Sequence, residues 1–417
     1  MKNKFTLLAM IMATSVALNA QTINADITMG AGYANDVYYG LENQTSSTSN
    51  RQDWDIAFYR KSNFSTGIRI NNTKGIEVYE ASNQLSNWNT IDIANLASWK
   101  ALYNSDVDWQ KGALNNGSAT YGWGNYDMAS HFVKGTIVFV LKYNSGEYVK
   151  LKIDELNAPS GTYKITYSLL ENNTWSADKT VSIAHSTSPN NLFNYFNFIT
   201  GQIVKPEPNQ NEWDLKFTKY ITPLEAEGNT VMYNVTGVLQ SDLVKIAKTD
   251  SGNPKDDNAY SIDINTIGYN WKNYDMNSGS YTIKPTNYFI KNTSTNKIYK
   301  LVFKTFEGSS TGKITFDYEN VTNSLGTTDL ERTKFGIYTI ANQPKSIQIV
   351  YNSTQNGNSD VAVQIYSMNG QLVHQENYRP TSSFANKTIQ LSKLPAGVYI
   401  VKLQVGNKVE TKKIVLR

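Results

Sequence analysis

Short segments rich in apolar, aromatic and β-branched residues recur along the chain, separated by turns rich in Asn, Gly and Ser. This pattern predicts β-strands. In the first half the predicted strands are residues 53–59, 137–143, 148–153 and 163–169. The turn residues Asn144–Gly146 predict a hairpin between the middle two strands. Residues 91–103 carry apolar side chains near helical spacing and predict a helix.

Residues 343–417 contain evenly spaced short strands and predict a small Ig-like β-sandwich. Asn369-Gly370 is a strong hairpin-turn signal. The segment Leu394–Gly397 predicts a tight turn, because Pro sets φ and Gly accepts a positive φ. Apolar and polar residues alternate in the last strands, and residues 323–342 before the sandwich are predicted to be a linker.

A six-residue block occurs twice in the rest of the chain, as Trp123–Met128 and Trp271–Met276, with five identical positions. The strands that follow each block are also similar, and Trp54–Phe58 matches Trp213–Phe217 at nearly the same separation. Similarity at a long fixed period indicates duplication. The predicted tandem domains are residues 21–175 and 176–322. We therefore expect an all-β chain with two similar β-rich domains, a small sandwich and few short helices.

Composition narrows the class of protein. Hydrophobic residues make up 40% of the chain and charged residues 18%, so the chain can bury cores and is not disordered by composition. The net charge is only +4 and no basic cluster is present, which argues against nucleic-acid binding. Cysteine is absent, which excludes disulfides and Cys-ligated metal sites.

Residues 1–20 have the pattern of an export signal. Lys2 and Lys4 form a basic start, an apolar stretch follows over residues 5–18, and Ala20 is the small residue before the cut. The apolar stretch is short for a membrane span, so a cleaved signal peptide is favoured over a first helix or an anchor. No later stretch approaches membrane-spanning length, and we expect no transmembrane span.

Three motifs stand out near the C-terminus: Ile365–Gly370, Leu394–Tyr399 and the terminal Lys412–Arg417. With them, residues 343–417 resemble the type A C-terminal sorting domain of the type IX secretion system. The resemblance implies a Gram-negative exporter that moves the protein across the outer membrane, often removing this domain. It also implies the type IX machinery as a partner and a secreted or surface-attached location. The alternative is an ordinary accessory sandwich.

A second set of motifs has the same order in both repeats: the Trp-Asp segments at Trp54 and Trp213, and then the Trp-x-Asn-Tyr-Asp-Met block. Phe196, Phe198 and Thr200-Gly201 precede the second Trp-Asp segment. With these motifs, residues 25–322 resemble two copies of the HmuY-like family of haem-binding surface proteins. The resemblance implies a mostly β fold that holds haem by axial side chains on loops. This chain departs from it in lacking a lipoprotein Cys and in having too few His for two imidazoles per copy.

Haem iron accepts His, Met, Tyr or Cys as axial ligands. Met128 and Met276 are soft donors repeated in both blocks, and His131 follows the first block, where the second copy has Gly279. Met128, His131 and Met276 are therefore the candidate haem-binding residues. The alternative is that these methionines fill gaps in a core. The other histidines lie near none of these motifs: His185 at the join of the repeats and His374 in the sorting segment.

We expect no enzymatic activity, because no nucleophile elbow, metalloprotease helix, phosphate loop or dinucleotide motif is present. Asp106 and Asp108 beside Trp109 are a carboxylate pair of the kind that glycosidases use, but closely spaced acidic residues are common on solvated loops. Residues 250–257 are acidic and lack the spaced ligands of a calcium loop, which favours a solvated loop.

The first hypothesis is an exported surface protein that captures haem or a haemoprotein. The alternative is a structural or adhesive surface protein that has kept the fold without haem binding.

Overall fold

Antiparallel β-sheets make up most of the described chain, and the all-β prediction is confirmed. The computed structural model describes residues 21–188, 190–249, 254, 257–322, 333–340, 343–353, 360–379, 384–405 and 408–416. The chain divides into two compact units, residues 1–322 and residues 323–417. The signal peptide predicted at residues 1–20 and most of the acidic loop at 250–257 lie outside the described residues.

The first unit contains twenty-four strands in its described residues. They are β1 (Ile23–Thr28), β2 (Asn35–Gly40), β3 (Thr45–Asn50), β4 (Ile56–Tyr59), β5 (Ile68–Ile70), β6 (Ile76–Ser82), β7 (Lys100–Leu102), β8 (Gly124–Asp127), β9 (Phe132–Gly135), β10 (Val138–Tyr143), β11 (Tyr148–Asn157), β12 (Thr162–Glu171), β13 (Thr174–Trp175), β14 (Lys179–Ala184), β15 (Phe193–Asn197), β16 (Gln202–Val204), β17 (Leu215–Ala226), β18 (Asn229–Gln240), β19 (Val244–Thr249), β20 (Lys272–Asp275), β21 (Ser280–Ile283), β22 (Asn287–Asn292), β23 (Ile298–Phe306) and β24 (Lys313–Asn320).

The helices of this unit are short 3₁₀ segments that connect strands. They are Ala31–Tyr33, Arg51–Asp53, Asn72–Lys74, Leu85–Thr90, Ile93–Ser98, Ala113–Asn116, His185–Thr187, Gln210–Glu212, Asp257–Ala259 and Gly308–Ser310. None of the helices in the described ranges has the length and apolar character needed to cross a membrane.

The helix predicted over residues 91–103 is wrong. The chain forms only the 3₁₀ segment Ile93–Ser98 and then enters β7, which pairs with β6. Leu102 is buried opposite Val78 in that sheet, whereas Ile93 and Leu96 are only half-buried. The apolar residues therefore serve two different packing faces, and their helix-like spacing does not describe one buried stripe.

Strand pairing in the first unit crosses between the two repeats. β1 pairs with β24, and β2 pairs with β17, so the N-terminal strands complete the sheets of the second repeat. In return β14 pairs with β12, and β15 pairs with β4, so strands that follow the first repeat in sequence complete it. The two repeats have therefore exchanged an equivalent set of strands. Strands β1–β3 complete the second repeat, and strands β14–β16 complete the first.

The two hydrophobic cores show the same exchange. The buried members of the first core all lie between residues 56 and 198, and those of the second lie in residues 27–41 and 215–318. We call residues 56–204 module A, and residues 23–50 together with 215–320 module B. The boundary predicted between domains 21–175 and 176–322 therefore does not coincide with the packing, because strands on both sides of it belong to the other core.

Matching registers show that the exchanged strands occupy equivalent positions. Ile56 of β4 lies opposite Phe196, and its counterpart Leu215 of β17 lies opposite Tyr39. β11 and β23 each carry a bulge at the same point of their pairing with β12 and β24. A one-residue slip would turn every side chain of a strand to the other face, so shared registers place the same pattern of residues in both cores.

A buried aspartate accepts a backbone hydrogen bond at the end of each of two exchanged strands, β15 and β2. Asp55 accepts a hydrogen bond from the backbone N–H of Phe198 at 2.7 Å, and Asp214 accepts one from the N–H of Leu41 at 2.8 Å. Asp55 also forms a 2.6 Å ion pair with Lys74. These are the aspartates of the repeated Trp-Asp segments, which explains the motif structurally. We call the two bonds the aspartate latches.

The tryptophans of the same segments pack against side chains of the exchanged strands β15 and β2. Trp54 packs edge-to-face on Tyr195, and Trp213 packs edge-to-face on Tyr38, with ring centroids 5.1 Å apart in both pairs. Such aromatic pairs contribute ~0.5–1.5 kcal/mol beyond the area they bury. Each Trp-Asp segment therefore joins a module to the strand that it receives from the other repeat.

The second unit is a β-sandwich, as predicted. Its strands are β25 (Thr333–Ile340), β26 (Gln343–Ser353), β27 (Val361–Ser367), β28 (Leu372–Tyr378), β29 (Phe384–Gln390), β30 (Gly397–Val405) and β31 (Lys408–Leu416). One sheet has the order β25-β26-β29 and the other β28-β27-β30-β31, and one core draws Ile347 and Ile389 from the first and Val363 and Leu403 from the second. Residues 333–340 were predicted as linker and instead form β25.

We expect residues 51–204 to fold on their own, because this fragment contains the whole first core. A fragment of residues 21–175 lacks Ile183, Phe196 and Phe198, which are all fully buried. Burial of each such side chain is worth ~1.5–3 kcal/mol. Urea denaturation followed by tryptophan fluorescence should give a cooperative transition for 51–204 at a higher midpoint than for 21–175. Equal midpoints would show that β1–β3 replace β14–β16 without loss and would contradict the exchange.

We expect Asp55→Ala to destabilise the first unit by about 3–5 kcal/mol, because it leaves Lys74 as an unpaired, largely buried charge and removes the acceptor of Phe198 N–H. Asp214→Ala should cost about 1–3 kcal/mol, since it removes a backbone hydrogen bond without breaking an ion pair. Asp53→Ala, on the exposed neighbour, is the matched control and should change stability by less than ~0.5 kcal/mol. Equal losses of stability for Asp55→Ala and Asp53→Ala in denaturant titrations would show that the aspartate latch at Asp55 does not stabilise the unit.

Candidate functional site

The repeated six-residue blocks form two equivalent β-hairpins. The first joins β8 to β9 through residues 128–131, and the second joins β20 to β21 through residues 276–279. Asp127 accepts bonds from Ala129 N at 2.9 Å and from the Ser130 hydroxyl at 2.8 Å. Asp275 accepts the same two bonds at the same distances from Asn277 N and the Ser278 hydroxyl. These bonds to the carboxylates lower the pKa of both aspartates. The Asp that is repeated in both blocks therefore shapes the turn.

The last turn position requires a left-handed backbone in both copies. His131 has φ of 59°, and the matching Gly279 has φ of 64°. Each donates its N–H to the carbonyl of the turn aspartate at 2.9 Å. Glycine adopts this conformation freely, whereas a side chain there stores strain of order 1–3 kcal/mol, and such strain tends to lie at functional sites. His131 thus occupies a position that glycine would fill with less backbone strain.

Burial separates the residues of each block into a core part and an exposed part. Trp123 and Trp271 are fully buried, and Trp123 donates its indole N–H to Thr66 O at 3.0 Å. Met128 is 82% exposed and Met276 is 89% exposed. The alternative that these methionines fill gaps in a core is therefore wrong. Both thioethers stand at the tips of hairpins anchored by a buried tryptophan.

The first hairpin tip carries a group of aromatic side chains. The Tyr126 hydroxyl and His131 Nδ1 lie 2.8 Å apart, which leaves His131 Nε2 as the nitrogen for a ligand. Phe64 packs edge-to-face on both Tyr121 and Tyr126, and it remains 40% exposed. The second tip has Tyr274 against Tyr281 at 5.0 Å and no imidazole. The structure thus brings Met128 and His131 onto one turn of module A and places Met276 on the equivalent turn of module B.

The two remaining histidines have other surroundings. His185 is buried, and burial lowers its pKa, with the nearby Arg60 lowering it further. His374 lies 3.8 Å from Glu376 in the sorting segment. Within the described ranges, no group of three or more His, Asp or Glu side chains is arranged to hold a metal ion.

Modules A and B meet in an aromatic cluster that sequence reasoning did not find. It contains Tyr38, Ala57, Tyr59, Trp109, Leu192, Phe193, Tyr195, Trp213, Tyr220, Val235, Leu239 and Ile264. Trp109 of module A donates its indole N–H to Gln240 O of module B at 2.9 Å. Aromatic residues in the exchanged strands were the available signal, but only the crossed pairing assigns them to a junction.

The acidic pair Asp106 and Asp108 belongs to this junction. Asp106 accepts bonds from the Thr222 hydroxyl at 2.5 Å and from Asn265 Nδ2 at 2.9 Å, both in module B. Asp108 accepts from Gln110 N at 2.9 Å within its own turn. Arg69 fixes the same turn by donating to the carbonyls of Ser105 and Asp108 at 2.7 and 2.8 Å. Both carboxylates therefore have structural partners.

Buried charges accompany the cluster. Lys216 and Asp36 form an ion pair of 2.9 Å, and the Thr218 hydroxyl donates to Asp36 at 2.7 Å. Glu207 accepts bonds from Leu192 N and from the Tyr195 hydroxyl, each at 2.7 Å. Burial raises the pKa of Glu207 to about 7 despite these bonds. The junction thus contains buried polar side chains, and these have hydrogen-bond or ion-pair partners when the modules are packed.

Residues 343–417 match the family model of the secretion system C-terminal sorting domain. The match covers β26 to the end of the second unit. It assigns the protein to export by the type IX secretion system, followed by release or attachment to the outer cell surface. No curated protein matches the chain.

Proposed function

We propose that modules A and B bind a ligand at the cell surface through their equivalent hairpin tips, and that the ligand is haem, free or held by a haemoprotein. The observation that carries the proposal is the pair of exposed methionines on identically bonded turns. An exposed Met contributes little to stability, because burial of apolar surface is what stabilises the fold. Its thioether is a soft donor that haem iron accepts.

His131 supports the proposal for module A. Its Nδ1 is engaged by the Tyr126 hydroxyl, and metal-binding imidazoles are commonly oriented by such a bond on the second nitrogen. The strained backbone of His131 also favours a role for the imidazole. Module A would then offer Met128 and His131, and module B would offer Met276 alone.

The resemblance of both repeats to the HmuY-like family points to the same ligand class. The shared motifs are the Trp-Asp segments and the Trp-x-Asn-Tyr-Asp-Met blocks. In this chain those motifs build the aspartate latches and the hairpins. The resemblance therefore supports a common fold more strongly than a common ligand, and haem rests on the exposed donors.

An adhesive surface protein is the second candidate. The exposed rings of Phe64 and Tyr126 lie against each other at 5.7 Å beside the first tip. Exposed aromatic groups of this kind bind sugar rings or apolar patches of partner proteins. This reading needs no metal donor, and it predicts that Phe64 and Tyr126 matter more than Met128.

We expect residues 21–322 to bind added haemin and to give a Soret band that depends on the tip residues. Met128→Ala should weaken binding at module A at least tenfold, and Met276→Ala should halve the number of sites. His131→Gly removes the imidazole and restores the glycine found in the second turn, so it should shift the band without loss of stability. Met232→Ala, on β18, is the matched control for loss of a thioether elsewhere.

Unchanged spectra and affinities in Met128→Ala, His131→Gly and Met276→Ala would contradict the assignment of these three residues as haem ligands. Absence of haemin binding in the unmodified protein would contradict the haem proposal and favour an adhesive surface protein. In that case Phe64→Ala and Tyr126→Ala should weaken binding to glycans or to the cell surface, while Met128→Ala should not.

We expect deletion of residues 343–417 to leave the protein inside the periplasm of its host, because the sorting domain directs passage through the outer membrane. Immunoblots of periplasmic and surface fractions would test this, with a point variant in module A, Lys164→Gln, as the control for expression. Normal surface display of the truncated protein would contradict the role of the domain.

A further inference from the structure

Strands β17 and β18 of module B form a ribbon that extends beyond the sheet to which they belong. They pair with each other over twelve residues, whereas β2 pairs only with Leu215–Phe217 of β17. The corresponding strands of module A, β4 and β5, contain four and three residues. The outer part of the ribbon, residues 221–234, is therefore a feature of module B alone, and it has no role in the function proposed above.

The outer edge of β18 has free backbone groups. Val238 exchanges two backbone hydrogen bonds with Gly268, at 2.9 and 3.1 Å, on the side away from β17. Alternate residues of a strand direct their N–H and C=O groups to the same edge, so those of Thr230 and Asn234 also point away from β17. On this edge residues 230–234 have no backbone partner among the residues that the structure describes.

The opposite edge of the ribbon is protected against pairing with another strand. The register with β18 turns the backbone groups of Lys219, Pro223 and Glu225 to the outer edge of β17. Proline has no N–H to donate, and charged side chains on an edge strand oppose pairing with another chain. Strand β18, Asn229–Gln240, contains no charged residue and no proline. The ribbon thus has one blocked edge and one open edge.

Two apolar side chains lie exposed on the open strand. Val231 is 45% exposed and Tyr233 is 57% exposed, and both lie on one face because side chains two positions apart point the same way. β-Branched and aromatic residues are the types that fit paired strands best. An exposed, uncharged edge strand is a template for pairing with a further strand. The edge of β18 is therefore suited to accept one.

The open segment is complementary to itself. In a symmetric dimer both copies contribute the same residues around a twofold axis. An axis through the middle of residues 230–234 places Thr230 opposite Asn234 as a hydrogen-bonded pair. It also places Val231 opposite Tyr233 as a non-hydrogen-bonded pair, in which the side chains are closest. Aromatic and β-branched residues form favourable cross-strand pairs, and two uncharged strands meet without like-charge repulsion.

We propose that β18 joins two copies of this chain through an antiparallel pairing of residues 230–234. The pairing adds about six backbone hydrogen bonds and packs Val231 of each copy against Tyr233 of the other. The sheets of the two copies then form one continuous sheet across the axis. A pairing this short belongs to the interfaces below ~1,200 Å², which are typical of weak and reversible complexes. The dimer therefore forms and dissociates with protein concentration.

The test uses the chain from residue 21 to residue 417 without haemin and measures its molecular mass by sedimentation equilibrium at concentrations up to ~1 mM. A monomer–dimer equilibrium that follows mass action is expected. A chain that stays monomeric at every concentration overturns the proposal, even if the edge accepts a strand of another protein.

Two charge variants test the register of the pairing. Val231→Lys and Tyr233→Glu should each weaken dimerisation about fivefold, because each removes one half of the apolar cross-strand pair. The double variant Val231→Lys/Tyr233→Glu places opposite charges against each other across the axis, so it should dimerise more tightly than either single variant. A double variant that is no tighter than the single variants would overturn the proposed pairing.

A backbone variant tests the open edge separately. Thr230→Pro removes an N–H that faces away from β17 and keeps the bonds to β17, as Pro223 does on the other strand. It should weaken dimerisation with little change in the midpoint of thermal unfolding. Ile262→Lys changes a residue that is 71% exposed outside the ribbon, so it is the matched control and should leave the dimer unchanged.

The proposal is overturned if Thr230→Pro, Val231→Lys and Tyr233→Glu dimerise as tightly as the unmodified chain, because the contact would then lie elsewhere. Haemin binding at the hairpin tips uses other residues and another signal, so either proposal can fail without the other.

Discussion

The first unit depends on one repeated interaction, the bond from a buried aspartate to the backbone N–H at the end of a strand from the other repeat. The bond is short in both modules, and each aspartate is almost fully buried. A carboxylate in such a position is costly unless its oxygens are satisfied. The latch therefore stabilises only the crossed arrangement that supplies those donors, and the neighbouring tryptophan packs on the same strand.

Most of the secondary structure follows from local sequence, because strand periodicity and turn residues act over a few positions. The hairpins around Asn144–Gly146 and Asn369-Gly370 form as their turn residues indicate. The crossing of strands does not follow in the same way. Residues 35–40 and 193–197 have similar patterns and equivalent registers, so either could fill either module as far as periodicity is concerned. Only long-range packing distinguishes the two outcomes.

The candidate sites show a similar division. Repetition of the block located the hairpins and their methionines, but exposure of Met128 and Met276 depends on the turn that Asp127 and Asp275 shape. Sequence reasoning did not find the junction, because its aromatic residues can be assigned to a junction only once the strand pairing is known. Arg69 and Lys219 lie far apart in the chain, and nothing in their local surroundings marks them as neighbours. They meet because the exchanged strands bring the two modules into contact.

The exchange also fixes the order in which the chain can be completed. Asn24 bonds to Asp317 across 293 positions, so the first strand has no native neighbour until nearly the whole unit has emerged. Closing so long a loop carries a large entropic penalty, and folds dominated by distant pairings assemble slowly. A chain built in this way can complete its topology only when residues 23–28 and 313–320 are present together in one compartment.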